Sequence, residues 1–228
     1  MYLKWNEQTI PDFLDENINR IYNDGYLFGR PQKGYMYQTR SIRIDLDKFE
    51  LSSENKRILR KISDFELQIA DLPMTDYHWS IGKLAKDFYE TKFGAGTFSA
   101  NKIKELLTTE HNFNRLFQYR MTQNVPSPLQ GEGQGEVIGY CIALETNEII
   151  HYSYPFYNLN SEIKNLGMSM MLQAIIYAKE NNKKYIYLGS AKDAKAKYKL
   201  QFRGLEWFDG EKWNEDLEEL KNELRSMN

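Results

Sequence analysis

Three groups of side chains in the second half of the sequence have the types and spacing to do chemistry. The first is Ser190, Lys192, Asp193, Lys195, Lys197, Tyr198, Lys199 and Arg203, five cations against one carboxylate. Such a group can hold phosphates, or it can be a solvated helix face. The second is His151, Tyr152, Ser153, Tyr154 and Tyr157, several polar handles on one alternating stretch. On a strand, Tyr152, Tyr154 and Phe156 share one face, and His151, Ser153 and Pro155 share the other. Pro155 cannot donate to a ladder, so pairing loosens there. The tyrosines read equally well as core residues, each with one bonded hydroxyl. The third is Lys164-Asn165-Leu166-Gly167-Met168-Ser169, a loop that runs into a helix. The first N–H groups of a helix have no partner and suit an anion or a carbonyl oxygen. The competing reading of Gly167 is a structural glycine at a helix start.

No zinc spacing, P-loop, nucleophile elbow or Ser/His/Asp constellation occurs, so no metal site is expected. His151 is far in sequence from His78 and His111. The lone Cys141 excludes a disulfide framework and, between Tyr140 and Ile142, reads as a buried, inert thiol.

The elements that must position these groups follow from periodicity. Ile149 to Tyr157 reads as a strand, 158–165 as a polar loop, and about Leu166 to Lys179 as a helix with Met168, Met171, Leu172, Ile175 and Ile176 at helical spacing. Tyr185 to Leu188 is a short apolar strand. Strand, helix and strand in that order make a βαβ unit with parallel strands. The first cationic group then follows the C-terminal end of a parallel strand, where ligands bind in open α/β sheets. A hairpin carrying Trp207 and Trp213 comes next, and Asn214 is placed to cap a last helix with Leu217, Leu220 and Leu224 on one stripe.

Upstream, Pro11 to Asn23 reads as a helix, with short strands at 26–28, 35–38 and 41–46. The last alternates, Ile42, Ile44 and Leu46 against Ser41, Arg43 and Asp45. Ser52 or Ser53 caps a helix to about Lys61, whose Lys56, Arg57, Arg60 and Lys61 form either a solvated face or a phosphate-contacting patch. A strand at 65–69, helices at 76–91 and 100–107 (the latter capped by Ser99) and strands at 113–121 and 137–144 follow. The stretch 123–136, QNVPSPLQGEGQGE, has no periodicity and is expected to be a disordered insert at a hairpin tip.

The chain has 228 residues, 41% hydrophobic, 14% aromatic and 27% charged, enough for a core. A net charge of −2 excludes a uniformly basic nucleic-acid binder and permits a local basic patch. No apolar run has membrane-spanning length, and the opening residues are too polar for a signal peptide, so a cytoplasmic location is expected.

The segments YIYLGS (185–190) and KAKYKLQFRGLEWFDGEKW (195–213), preceded by HYSYPFYN (151–158) and KNLG (164–167), resemble the C-terminal domain of the aminoacyl-tRNA–protein transferases. These are the arginyl and leucyl/phenylalanyl-type enzymes that add an amino acid to protein N-termini in the N-degron pathway. Residues 40–61 resemble that family's strand and basic helix. The resemblance implies an α/β (α+β) chain with the GNAT-like acyltransferase fold, a mixed, mainly antiparallel sheet flanked by helices. It implies N-terminal strands and a basic helix in residues 1–70, packed on a GNAT-like domain in 71–228. The implied partners are aminoacyl-tRNA and a protein or peptide N-terminus, with no membrane and no cofactor. One cysteine cannot hold the iron–sulfur centre that many of these enzymes carry.

By the same resemblance, Tyr198 is the catalytic candidate. Arg40, Arg43, Tyr152, Ser153, Tyr154, Lys164, Asn165, Gly167, Ser190 and Lys199 are the substrate-binding candidates. Lys56, Arg57, Arg60, Lys192 and Lys195 are the RNA-binding ones. Arg40 and Arg43 suit an acidic acceptor, because a guanidinium matches a carboxylate bidentately; an ordinary ion pair with Asp45 or Asp47 is the other reading of these arginines. An aminoacyl ester is already activated, so the protein must align an amine, place one proton and stabilise an oxyanion. Tyr198, a nearby carboxylate or the tRNA itself can take the proton. Two alternatives stand. One is an N-acetyltransferase using acetyl-CoA at Gly167, although Lys164 and Ser169 depart from the usual Gln/Arg-x-x-Gly-x-Gly/Ala loop. The other is a non-catalytic module that binds tRNA or N-terminal peptides. The sequence leaves open which amino acid is transferred and which residue accepts it.

Overall fold

In a computed structural model, residues 3–30, 32–61, 65–121 and 136–226 are described. The stretch expected to be disordered lies, apart from Glu136, outside them. The strands are β1 (Asn6–Thr9), β2 (Tyr26–Phe28), β3 (Tyr35–Gln38), β4 (Ser41–Asp45), β5 (Phe65–Asp71), β6 (Arg115–Met121), β7 (Val137–Glu145), β8 (Ile149–Tyr157), β9 (Tyr185–Ser190), β10 (Leu205–Phe208) and β11 (Trp213–Asn214). The helices are α1 (Asp15–Asn23), α2 (Ser53–Arg60), α3 (Trp79–Phe93), α4 (Ala100–Thr108), α5 (Leu166–Glu180) and α6 (Leu217–Ser226), with a 3₁₀ turn run at Ala194–Gln201. The class is α+β with a mixed, mainly antiparallel sheet, as expected. The chain folds as two compact units, Met1–Ser53 with Leu144–Ser153 and Ile175–Asn228, and Glu54–Ala143 with Tyr154–Ala174.

In the first unit β11, β10, β4, β9 and the start of β8 are neighbours in that order. Ile149, Ile150 and His151 of β8 pair in parallel with Tyr185, Ile186 and Tyr187 of β9. The two strands of the βαβ reading therefore share a sheet. Ile42, Ile44, Ile150 and Ile186 are fully buried on one face. Around Ile42 that face is covered by Ala196 and Leu200 of the 3₁₀ run and Leu220 and Leu224 of α6. Arg43, Glu206, Tyr187 and His151 are matched by register on the other face. Tyr22 of α1 packs edge-on there, 5.0 Å from the Tyr187 ring and 5.6 Å from His151. A second, three-stranded antiparallel sheet, β1-β3-β2, also belongs to this unit.

The second unit is built on the antiparallel run β5-β6-β7, in register from Phe65–Met121 to Asp71–Arg115 and from Arg115–Ala143 onward. Cys141 is buried opposite Phe117, as its place in mid-strand implies. Tyr154 packs edge-on against Phe98 and Phe113, and Phe156 stacks on Tyr140.

Three helix starts differ from the periodic reading. The helix α3 begins at Trp79, not Asp76, with His78 as its extended cap, whose Nδ1 accepts from the Ser80 N–H. The helix α1 begins at Asp15, not Pro11, because the Asp12 side chain takes the Leu14 N–H in an Asx turn and leaves Leu14 extended. The N-terminus of α6 is capped by Asp216, whose Oδ1 accepts from the N–H groups of Glu218 and Glu219, while Asn214 accepts from Asp216 one step earlier.

Candidate active site

In the first unit the parallel ladder of β8 and β9 ends at the pair His151–Tyr187. Tyr152 and Ser153 on β8, and Leu188, Gly189 and Ser190 on β9, lie beyond it. The β4–β9 register slips here, between Ser41–Ser190 and Arg43–Tyr187, so Leu188 and Gly189 together oppose one residue of β4. That is a β-bulge, and Gly189 accommodates it at φ +82°. The bulge leaves the carbonyls of Leu188 and Ser190 to a side chain: the Lys199 amine donates to them at 2.7 and 3.5 Å.

The stem of Lys199 is partly accessible, but its amino group is buried. Burial pulls the ammonium down to about 8, against a smaller upward pull from Asp193. The buried His151 is pushed down to about 3, first by burial and then by the charge of Lys199, so it is neutral at ordinary pH. The Tyr22 hydroxyl accepts from the Phe28 N–H at 3.3 Å and is hydrogen-bonded to His151 Nδ1 at 2.9 Å.

The other candidates of this unit stand as follows. Tyr152 is buried and Ser153 half-buried. Tyr198 is 49% exposed, with the Lys199 amine 5.9 Å from its ring centroid. Lys192 is exposed, and Lys195 lies in the same 3₁₀ run as Tyr198 and Lys199. Ser190 pairs with Ser41 at the bulge. Arg40 is buried and ion-paired with Glu223 of α6. Arg43 is buried and pairs with Glu206 rather than with Asp45 or Asp47, because the β10 register places that carboxylate directly opposite.

The second unit holds the remaining candidates. Lys164 and Asn165 are exposed at the start of α5, Asn165 at φ +63°. The Asn165 carbonyl accepts from the N–H groups of Met168 and Ser169. Gly167 lies under the Tyr157 ring, where an added Cβ would meet ring atoms at 2.9 Å. That close approach is a packing reason for glycine. Tyr154 sits in the aromatic cluster described above. Lys56, Arg57 and Arg60 are exposed on α2, Arg57 already bonded through Nε and Nη2 to Glu54. The sequence reading singled out neither Tyr22 nor the bulge. Gly189, directly after the apolar run YIYL, was the available signal for the bulge. Nothing local to Tyr22 points to a histidine far along the chain.

The family model "Arginine-tRNA-protein transferase, C terminus" matches residues 87–209, more than half of the chain. This chain belongs to that family. Its members are aminoacyltransferases, and the activity expected from the sequence is of that class. Among individual relatives, an aspartate/glutamate leucyltransferase of Pseudoalteromonas atlantica is 23% identical over 224 residues, covering 93% of this chain and 91% of that protein. One of the same name from Saccharophagus degradans is 23% identical over 177 residues, covering 75% and 69%. Similar solved structures include FemX, at TM-score 0.49 and 9% identity over 78% of this chain and 60% of that one. Another is L-PGS from Bacillus licheniformis, at TM-score 0.47 and 13% identity over 91% and 68%. Among the described residues no helix is long and apolar enough to cross a membrane.

Proposed function

We propose that this aminoacyltransferase moves leucine from leucyl-tRNA to the N-terminus of proteins that begin with aspartate or glutamate. The observation that carries the reading is the near end-to-end match to a protein named for that reaction, 93% of this chain on 91% of the relative. The arrangement of the first unit supports it. Two parallel strands part beyond His151–Tyr187, next to a buried cation and an exposed tyrosine on the run that follows β9. This is the kind of strand end at which α/β sheets bind ligands.

The chemistry asks little covalent work of the protein. The acceptor amine attacks the ester carbonyl carbon, the tetrahedral intermediate collapses, and the ribose oxygen of the tRNA leaves with the proton that the amine loses. The main contributions are alignment and electrostatics. Tyr198, beside Lys199 and open to solvent, relays that proton. Tyr152, Ser153 and Ser190 line the strand ends that receive the aminoacyl group. Exposed Lys192 meets phosphates of the tRNA, and Lys56, Arg57 and Arg60 of the second unit are further phosphate contacts. His151, bonded to Tyr22 and pushed toward its neutral form by burial, acts as a dipole and not as a base.

Incubating the purified protein with leucyl-tRNA, arginyl-tRNA or acetyl-CoA and peptides beginning with Asp, Glu or Ala tests the reading. Leucine on the Asp and Glu peptides supports it. Product from acetyl-CoA alone, or tRNA binding without product, overturns it.

A further inference from the structure

Lys199 carries a charge that the chain leaves uncompensated. Its buried amine is held by two neutral carbonyl oxygens, of Leu188 and Ser190. Among the described residues no carboxylate lies within ion-pair distance of it, and Asp193 acts on it only at longer range. A buried ammonium without a counter-ion is costly, and two carbonyl dipoles repay that cost in part. An ammonium has three donors. The two carbonyls take two, which leaves one for a group that enters. The amine is fixed at the bulge of β9, beyond the last β8–β9 pair.

We infer that Lys199 is the oxyanion-stabilising residue of aminoacyl transfer, donating its third N–H to the ester carbonyl oxygen as negative charge develops there. The inference rests on the transferase reading above. In the step concerned, the amine nitrogen forms a bond to the carbonyl carbon and the carbonyl π pair moves onto oxygen. Lys199 bonds that oxygen and keeps its own proton. On collapse the carbonyl re-forms, the bond to the ribose oxygen breaks, and that oxygen takes the proton released by the amine. The Leu188 and Ser190 carbonyls hold the ammonium in place beforehand, so no reorganisation is needed when charge appears.

The charged form is the active one. Burial pulls Lys199 down to about 8, so the maximal rate should fall above that pH. The groups facing it are Asp193, which favours the charge, neutral His151, and the Tyr198 ring. The acceptor amine acts in the opposite sense. It must be neutral, so it produces a rise in rate through its own ordinary value of about 8. The result is a bell-shaped profile whose alkaline limb belongs to the enzyme.

The test is the pH dependence of transfer from leucyl-tRNA to a glutamyl peptide by wild type, Lys199→Met and Lys199→Arg, with thermal unfolding of each. Lys199→Met should lower the maximal rate about a hundredfold, with KM changed by less than about twofold and the fold retained. Lys199→Arg keeps a charge that does not titrate; it should retain part of the rate and lose the alkaline limb. A Lys199→Met rate near wild type overturns the assignment. So does a loss that moves KM and melting together, which would make Lys199 only a strut of the bulge, or an alkaline limb that persists in Lys199→Arg. Wild type that transfers nothing overturns the transferase reading itself. Wild type that transfers while Lys199→Met is unaffected overturns Lys199 alone.

Discussion

Arg43 and Glu206 are register partners on β4 and β10, and Arg43 Nε donates to Glu206 Oε2 at 2.8 Å with both side chains buried. The guanidinium is also clamped between the rings of Tyr185 and Trp213, 3.7 and 3.9 Å from their centroids, and its Nη1 bonds Asn23 Oδ1 at 2.8 Å and the Tyr187 hydroxyl at 3.3 Å. An acceptor carboxylate would have to displace Glu206 to reach it.

Removing Glu206 strands the Arg43 charge in a buried site, whereas Glu206 without Arg43 keeps Lys48 Nζ at 3.4 Å. Glu206→Ala should cost about 3–5 kcal/mol of stability, and Arg43→Ala less. Urea unfolding of both variants and of the double variant measures it. The double variant should lose less than the sum of the singles, and strict additivity would show that the two groups do not act as a pair.

Acid stability should carry a contribution from His151. Its folded-state value of about 3 lies below the ordinary 6.5. The unfolded chain therefore takes the proton first. The contribution is complete above about pH 6.5 and is lost as pH falls toward 3, at roughly 1.4 kcal/mol per unit. Comparing the pH slope of stability for wild type and His151→Gln between those limits isolates this site from the carboxylates. Identical slopes would mean that His151 is not buried neutral.

Gly167→Ala should destabilise by about 1–3 kcal/mol through overpacking against Tyr157. The new Cβ would stand 2.9 Å from ring atoms. In a Tyr157→Ala background the same change should cost much less. Equal costs in the two backgrounds would show that the ring is not what excludes a side chain here.

The RNA-binding candidates predict salt-dependent tRNA affinity. Lys56→Ala and Lys192→Ala should each flatten the log–log slope of the binding constant against salt by about 0.7–0.9, with no change in which tRNA is preferred. Wild-type slopes in both variants would make these lysines merely solvated.

The legible parts of the sequence were those fixed by local periodicity. Alternation in Ser41–Asp45 and the apolar run at Tyr185 gave strands, and helical spacing from Leu166 gave α5, because side-chain period and backbone geometry are tied together. The family segments pointed to Tyr198 and Lys199. What stayed hidden depends on register and on contacts between distant residues. The ion-pair reading of Arg43 named Asp45 or Asp47, and the β10 register supplied Glu206 instead, 163 positions along the chain. The inward turn of Lys199 onto the bulge carbonyls and the bond of Tyr22 to His151 arise in the same way. The starts of α1 and α6 were displaced by Asp12 and Asp216, whose side chains compete for backbone N–H groups more effectively than periodicity reveals.

The central claim is tested most directly by mass spectrometry of an N-terminally acidic peptide after incubation with the purified protein, leucyl-tRNA and acetyl-CoA together. The predicted result is one added leucyl residue on the α-amine, formed only when leucyl-tRNA is present and abolished by blocking that amine. An acetylated peptide, or an unmodified one after prolonged incubation, would contradict it.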